Sequence, residues 1–197
     1  MSLGFLKALE NLLASPKATP KYLLNEVVKM VGETLQADRC FLWVRQPATS
    51  LSRGAFVWRR NETIPNLTPE QMRWSDESFL PSQDPLYAAA LNCKPSIYVN
   101  DVQSESSEII NRRFEELNFG HRALIHAHII SDNKLFGILQ PCMFGSPRLW
   151  LQVEKDLIES ILPKLSPFVK EFVNNEEMPQ NTEMVSSIRP AFQAPTH

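Results

Sequence analysis

Apolar and polar positions along the chain fall into alternating and helical stretches whose order predicts a mixed sheet-and-helix domain. From Arg122 to Phe144, RALIHAHIISDNKLFGILQPCMF, two apolar runs flank Asp132-Asn133, a pair that tolerates the positive φ angles of a tight hairpin. With that pair as the loop, Ser131 faces Lys134, Ile130 faces Leu135, His128 faces Gly137 and His126 faces Leu139. One face then carries Leu124, His126, His128, Ile130, Leu135, Gly137 and Leu139. The other carries Ala123, Ile125, Ala127, Ile129, Phe136, Ile138, Gln140 and Cys142. Both faces are largely apolar, which places the hairpin in the centre of a sheet covered on both sides.

The remaining elements follow from the same patterning. Phe5, Leu6, Leu9, Leu12 and Leu13 recur at helical spacing over 3–14, and Ser15-Pro16 ends that helix. Thr19 caps a second helix with Pro20 at its first position and Leu23, Leu24, Val27, Val28, Val31 and Leu35 as its buried stripe. Two strands are predicted at 39–45 and 54–60, paired across a turn-like 46–53. A long connection, 61–84, shows no period. Asp84-Pro85 opens a helix to Leu91, a short strand lies within 95–102, and Ser106 or Ser107 caps a helix ended by Gly120. The last helix, 149–173, repeats Ile158, Ile161, Leu165, Phe168 and Phe172 as a coiled-coil seam does. Leu157, Leu162 and Val169 widen the stripe, so part of it is expected to cover the sheet, either alone or together with a homodimer seam shared with the N-terminal helix, and Pro163 and Pro167 predict a kink. The chain thus divides into an N-terminal amphipathic helix (1–18), one domain (19–173) and a polar tail (174–197) expected to be disordered.

Composition narrows the function. A net charge of −2 with acids and bases interspersed provides no basic field for nucleic acid. No apolar run is long enough for a membrane span, and the start lacks the pattern of a signal peptide, so a cytoplasmic protein is expected. Cys40, Cys93 and Cys142 have no metal-binding spacing and read as reduced thiols; Cys93, following a helix, is the candidate for reactivity. His126 and His128, two residues apart on one strand face, come nearest to a site. They read as hydrogen-bonded core or pocket imidazoles, since a third metal ligand is missing nearby.

The element order resembles that of a GAF domain, and particular segments carry the likeness. ADRCFLWV is similar to the family's first strand, LYAAALNCKPSIYVNDV to its helix, short strand and Asp-Val turn, FGHRALIHAHIISDNKLFGIL to its closing strands, and WLQVEKDLIESI to its last helix. The likeness spans residues 20–173 and is strongest to GAF domains of cyanobacterial signalling proteins. It implies an α+β fold: a GAF-like antiparallel sheet with helices on both faces and long N- and C-terminal helices.

Family members bind cyclic nucleotides, bilins or haem, mediate dimerisation, or have no known ligand. The chromophore cysteine of covalent bilin binders is missing from Ser104 to Gly120, and the Asn-Lys-Phe-Asp-Glu signature of cyclic-nucleotide binders is missing too. The Gly-His-Ile-Ala-Cys segment of the family's free methionine-(R)-sulfoxide reductase is not matched by Gln103–Ser107. The resemblance therefore implies a non-enzymatic regulatory module without a cofactor, acting on a partner protein and dimeric through its terminal helices. A noncovalent tetrapyrrole or nucleotide sensor is the alternative, and a reductase using Cys93 the remaining one. If a small-molecule ligand is bound, Trp74, Phe79, Tyr87, His126 and His128 are the candidate pocket lining.

Overall fold

The computed structural model describes residues 2–15 and 19–177. Of the tail expected from Asn174, residues 178–197 lie outside them, while Asn174 and Asn175 belong to the last helix. Helix α1 (Ser2–Leu13) is followed by α2 (Pro20–Thr34), whose Thr19 cap accepts a hydrogen bond from the Tyr22 N–H. Strands β1 (Arg39–Gln46) and β2 (Leu51–Arg59) form the first hairpin, with a turn shorter than the pattern suggests because Leu51 to Arg53 also pair. The long connection contains a two-residue strand β3 (Ser75–Asp76) and a short helix α3 (Leu80–Gln83). Then come α4 (Pro85–Leu91), β4 (Ile97–Val99), α5 (Arg112–Asn118), β5 (Ala123–Ser131), β6 (Lys134–Met143) and α6 (Gln152–Asn175). Helix α5 begins later than expected because Asn111, not Ser106 or Ser107, caps it, accepting from the Phe114 N–H.

The six strands form one antiparallel sheet in the order β3-β2-β1-β6-β5-β4. Helices α2 and α6, with Phe5 and Leu9 of α1, cover one face. Helices α3, α4 and α5 cover the other, with Leu67 from the long connection. Burial on both faces explains the near-continuous apolar runs of the central strands.

Asp132 and Asn133 adopt positive φ, 51° and 56°, as the hairpin turn requires. The expected register holds only next to the turn, where Ile130 faces Leu135 and Ser131 faces Lys134. A bulge then shifts it by one residue, so that His128 faces Ile138, Ile129 faces Gly137 and Ala127 faces Leu139. The β6 faces are consequently exchanged. Ile138 and Cys142 join Leu124 in the cluster under α4 and α5, and Leu139 joins Ala127 and Ile129 under α6.

Gly137, opposite Ile129 rather than His128, leaves no open space. A Cβ at Gly137 would lie 2.8 Å from the Trp43 carbonyl oxygen and 3.3 Å from Val169 Cγ1, because the neighbouring strand β1, and then α6, approach closely there. Gly137→Ala should cost about 1–3 kcal/mol of unfolding free energy. Urea denaturation checks this, and an unchanged midpoint would refute the close approach.

The stripe covers the sheet, as its width suggests. Ile158, Ile161, Leu165 and Phe172 are buried within the chain, and Phe168 is half-buried. Pro163 and Pro167 lie on the exposed side of a continuous α6, where water can take up carbonyls left without a donor.

Candidate functional site

The face beneath α3, α4 and α5 encloses a cavity lined by Phe41, Trp43, Leu80, Leu86, Phe114, Phe119 and Ile138, with polar groups from Asp84, Tyr87, Glu115, His126 and Gln140. Alternation along β1 sends Phe41 and Trp43 inward, and β5 and β6 supply His126, Ile138 and Gln140. The side chains fill nearly all of it. The volume left between them is about 20 Å³, room for about one water.

Beside the cavity lies a buried polar relay. Arg39, 1% exposed, donates from Nη1 to the Pro65 carbonyl at 2.7 Å, and its Nη2 lies 2.6 Å from His121 Nε2. Its guanidinium is 5.3 Å from the Phe41 ring centre and 5.0 Å from that of Phe144. His121 Nδ1 faces Glu115 Oε1 at 2.5 Å. Burial opposes charging this imidazole, while Cys142 and Glu115 favour it. Those two outweigh burial and push the group up to about 9, but Arg39 opposes them: a guanidinium has only donors, so Nε2 accepts and, with Arg39 in place, the single ring proton sits on Nδ1 toward Glu115. Cation and carboxylate are thus joined through a neutral ring, the arrangement that limits the cost of burying both.

A second polar knot closes one end. Tyr87 Oη and Arg45 Nε both donate to the buried Glu77 carboxylate. Burial pushes that carboxyl up, and Arg45 opposes the rise. Asp84 caps α4, accepting from the Leu86 N–H at 3.0 Å. Burial, then the Glu115 carboxylate, pushes the Asp84 carboxyl up to about 7.

The five residues expected to line a pocket separate. Tyr87 and His126 are in the cavity wall. Phe79 packs against the same cluster without lining the cavity. His128 turns away, its Nδ1 on the Lys94 carbonyl at 2.7 Å and its Nε2 2.9 Å from His126 Nδ1. Trp74 packs against the α6 side of the sheet, under the Arg53 guanidinium, because β3 carries the chain to the β2 edge there. Arg39, Glu115 and His121 go unnoticed in the sequence, and Gln140 figures there only as one position on a strand face. The available signal is that Arg39 alternates with Phe41 and Trp43 and so must point inward with them.

The cavity has an opposed pH response. Asp84 holds its proton more tightly in the folded chain, so its contribution is full below about pH 4 and lost as pH rises through about 7. His126 and His128 are depressed below 6.5, by burial first, so their contribution is present above that pH and lost as pH falls. Asp84→Asn keeps the cap and removes the first effect. At pH 8 it should stabilise the protein by on the order of 1–3 kcal/mol, with a much smaller gain at pH 5. Equal gains in urea midpoints at both pH values would contradict a titrating Asp84.

Among the described residues no cluster of His, Cys, Asp and Glu could hold a metal ion. Cys40 and Cys142 are buried and Cys93 is half-buried; burial pushes the Cys40 thiol up, away from reactivity.

The GAF domain family profile matches residues 20–163, and the chain belongs to that family. Its fold is shared with the GAF domain of an Acinetobacter phosphoenolpyruvate-protein phosphotransferase, at 12% identity and a TM-score of 0.66 over 89% of this chain and 98% of that one. It is shared equally with the phycoerythrobilin-bound GAF domain of a cyanobacterial phytochrome, at 14% identity and 0.68 over 89% and 100%. A third such structure is the photoproduct state of GAF3 from Slr1393 of Synechocystis, at 18% identity and 0.61 over 79% and 98%. No curated protein matches the chain in sequence. The family is one of regulatory and sensor modules, and no helix among the described residues is long and apolar enough to cross a membrane.

Proposed function

We propose that this GAF domain is a non-enzymatic regulatory module of the cytoplasm that works through protein contact. The carrying observation is the filled cavity: about 20 Å³ remains where ligand pockets have about 300–1,000 Å³. A tetrapyrrole or nucleotide does not fit this packing, and the Arg39–His121–Glu115 relay ties β1 to α5 beside it. Contact surface is available elsewhere. Leu149, Leu151 and Val153 are 70%, 53% and 51% exposed at the start of α6, while the buried Trp150 between them fixes their direction. We assign the homodimer contact, and any partner contact, to this outer side of the terminal helix.

Native mass spectrometry of protein from its source cells should give a dimer with no added mass. Leu149→Lys combined with Leu151→Lys should turn it monomeric with a melting temperature little changed. A bare wild-type monomer would refute the dimer, and added mass released on denaturation would replace the contact reading with that of a noncovalent sensor. His126 lines the cavity and is itself held by His128, so alanine at both positions would then abolish retention.

A further inference from the structure

We propose that the outer groove between the α3–α4 junction and the start of α5 binds a small organic anion, a phosphate or carboxylate carrying a flat apolar body. The groove has a volume of about 590 Å³ and lies outside the filled cavity, so this proposal is independent of the contact reading. Its lining separates into two parts. Arg112 and Arg113 provide charge, Ser82, Gln83, Ser107 and Asn111 provide hydroxyl and amide groups, and Pro81 and Pro85, over the buried Ile110, provide an apolar floor. There is no acidic residue in the lining.

The two cations differ in how they are held, and both have donors to give. Arg112 donates from Nη2 to the Glu105 carbonyl at 2.7 Å, which anchors one corner of a fork that has five N–H donors. Arg113 has Glu116 at 4.0 Å, with both side chains more than half exposed, a pair of little energetic weight. A planar guanidinium suits the paired oxygens of a phosphate or carboxylate.

The walls are fixed in place. Asn111 Nδ2 donates to the Gln83 carbonyl at 2.8 Å, tying α5 to α3 across the groove, while Asn111 Oδ1 caps α5 and Asp84 caps α4. A neighbouring groove of about 470 Å³ shares Arg112 but is charge-balanced. It contains Glu116, and its Arg122 is already held by both Asp101 oxygens, at 2.7 and 3.1 Å. An anion therefore favours the first groove. The floor selects among anions, since a ring laid on Pro81 and Pro85 removes apolar surface from water that an inorganic ion does not have.

The test is a titration of the full chain with phenyl phosphate and, separately, inorganic phosphate, followed by amide chemical shifts. Saturable shifts should appear at Ser82, Gln83, Ser107, Asn111, Arg112 and Arg113, with a Kd of about 1 mM or tighter for phenyl phosphate. Inorganic phosphate should bind at least about threefold more weakly. The double substitution Arg112→Gln, Arg113→Gln should weaken phenyl phosphate at least tenfold while the rest of the spectrum stays in place. Shifts that fail to saturate, that spread over all exposed arginines, or that survive the double substitution would overturn the site. Equal affinity for the two probes would overturn the ligand class. A phosphotyrosyl peptide binding tenfold more tightly than phenyl phosphate would overturn the assignment to a free small anion.

Discussion

Arg39→Leu should lower the unfolding free energy by about 3–5 kcal/mol, the cost of leaving a carboxylate without its cation in the core. The residue is 1% exposed and reaches Glu115 only through His121, so the loss measures a three-part unit rather than a direct pair. Adding Glu115→Gln should recover a large part of it, because the second change removes the group that the first leaves uncompensated. A double-mutant cycle by urea denaturation gives the coupling. Strictly additive losses would show that the neutral imidazole does not link the two charges.

Trp150→Ala should cost a similar amount, about 3–5 kcal/mol, and should act at a different place. The indole is 1% exposed and donates to the Val99 carbonyl at 3.0 Å. The Trp150 N–H donates to Asn100 Oδ1, and Arg148 lies 4.4 Å from the ring centre while pairing with Glu154 in the first turn of α6. Trp150 thus joins β4 to the origin of the terminal helix. Amide hydrogen exchange should speed up in β4 and the first turns of α6 before it does in α2. Trp150→Phe, which keeps most of the packing, should lose only about 1–2 kcal/mol. Uniform acceleration across the domain would rule out this local coupling.

The fold was legible where one local signal was strong enough to decide. Asp132-Asn133 set the turn, Thr19 and Asp84 set helix starts, and the both-sided apolar runs of β5 and β6 announced a covered sheet. What escaped depends on geometry between segments. A single bulge after Ile129 exchanges the faces of β6, and strict alternation has no means of announcing it. Trp74 went to the opposite side because β3, two residues long, carries no recognisable period yet redirects the chain. The relay escaped because its members lie 76 and 82 residues from Arg39 in sequence and meet only when β1, α5 and the segment before β5 converge. The stripe on α6 is wider than a seam, and that width announced its packing on the chain's own sheet.

The two outermost strands of the sheet, β3 and β4, comprise only two and three residues. Such stubs give an incoming chain almost no ladder to extend, and the stretch around Arg148 and Trp150 already occupies hydrogen-bonding groups at Asn100 beside β4. Strand addition at the rims is therefore confined to the lengths of β2 and β5 that β3 and β4 leave uncovered, since β3 pairs only with Leu51 and Ser52 and β4 only with Leu124 to His126. Association away from those lengths is written in side chains, which lets single substitutions on the helices and loops change partners without disturbing the sheet.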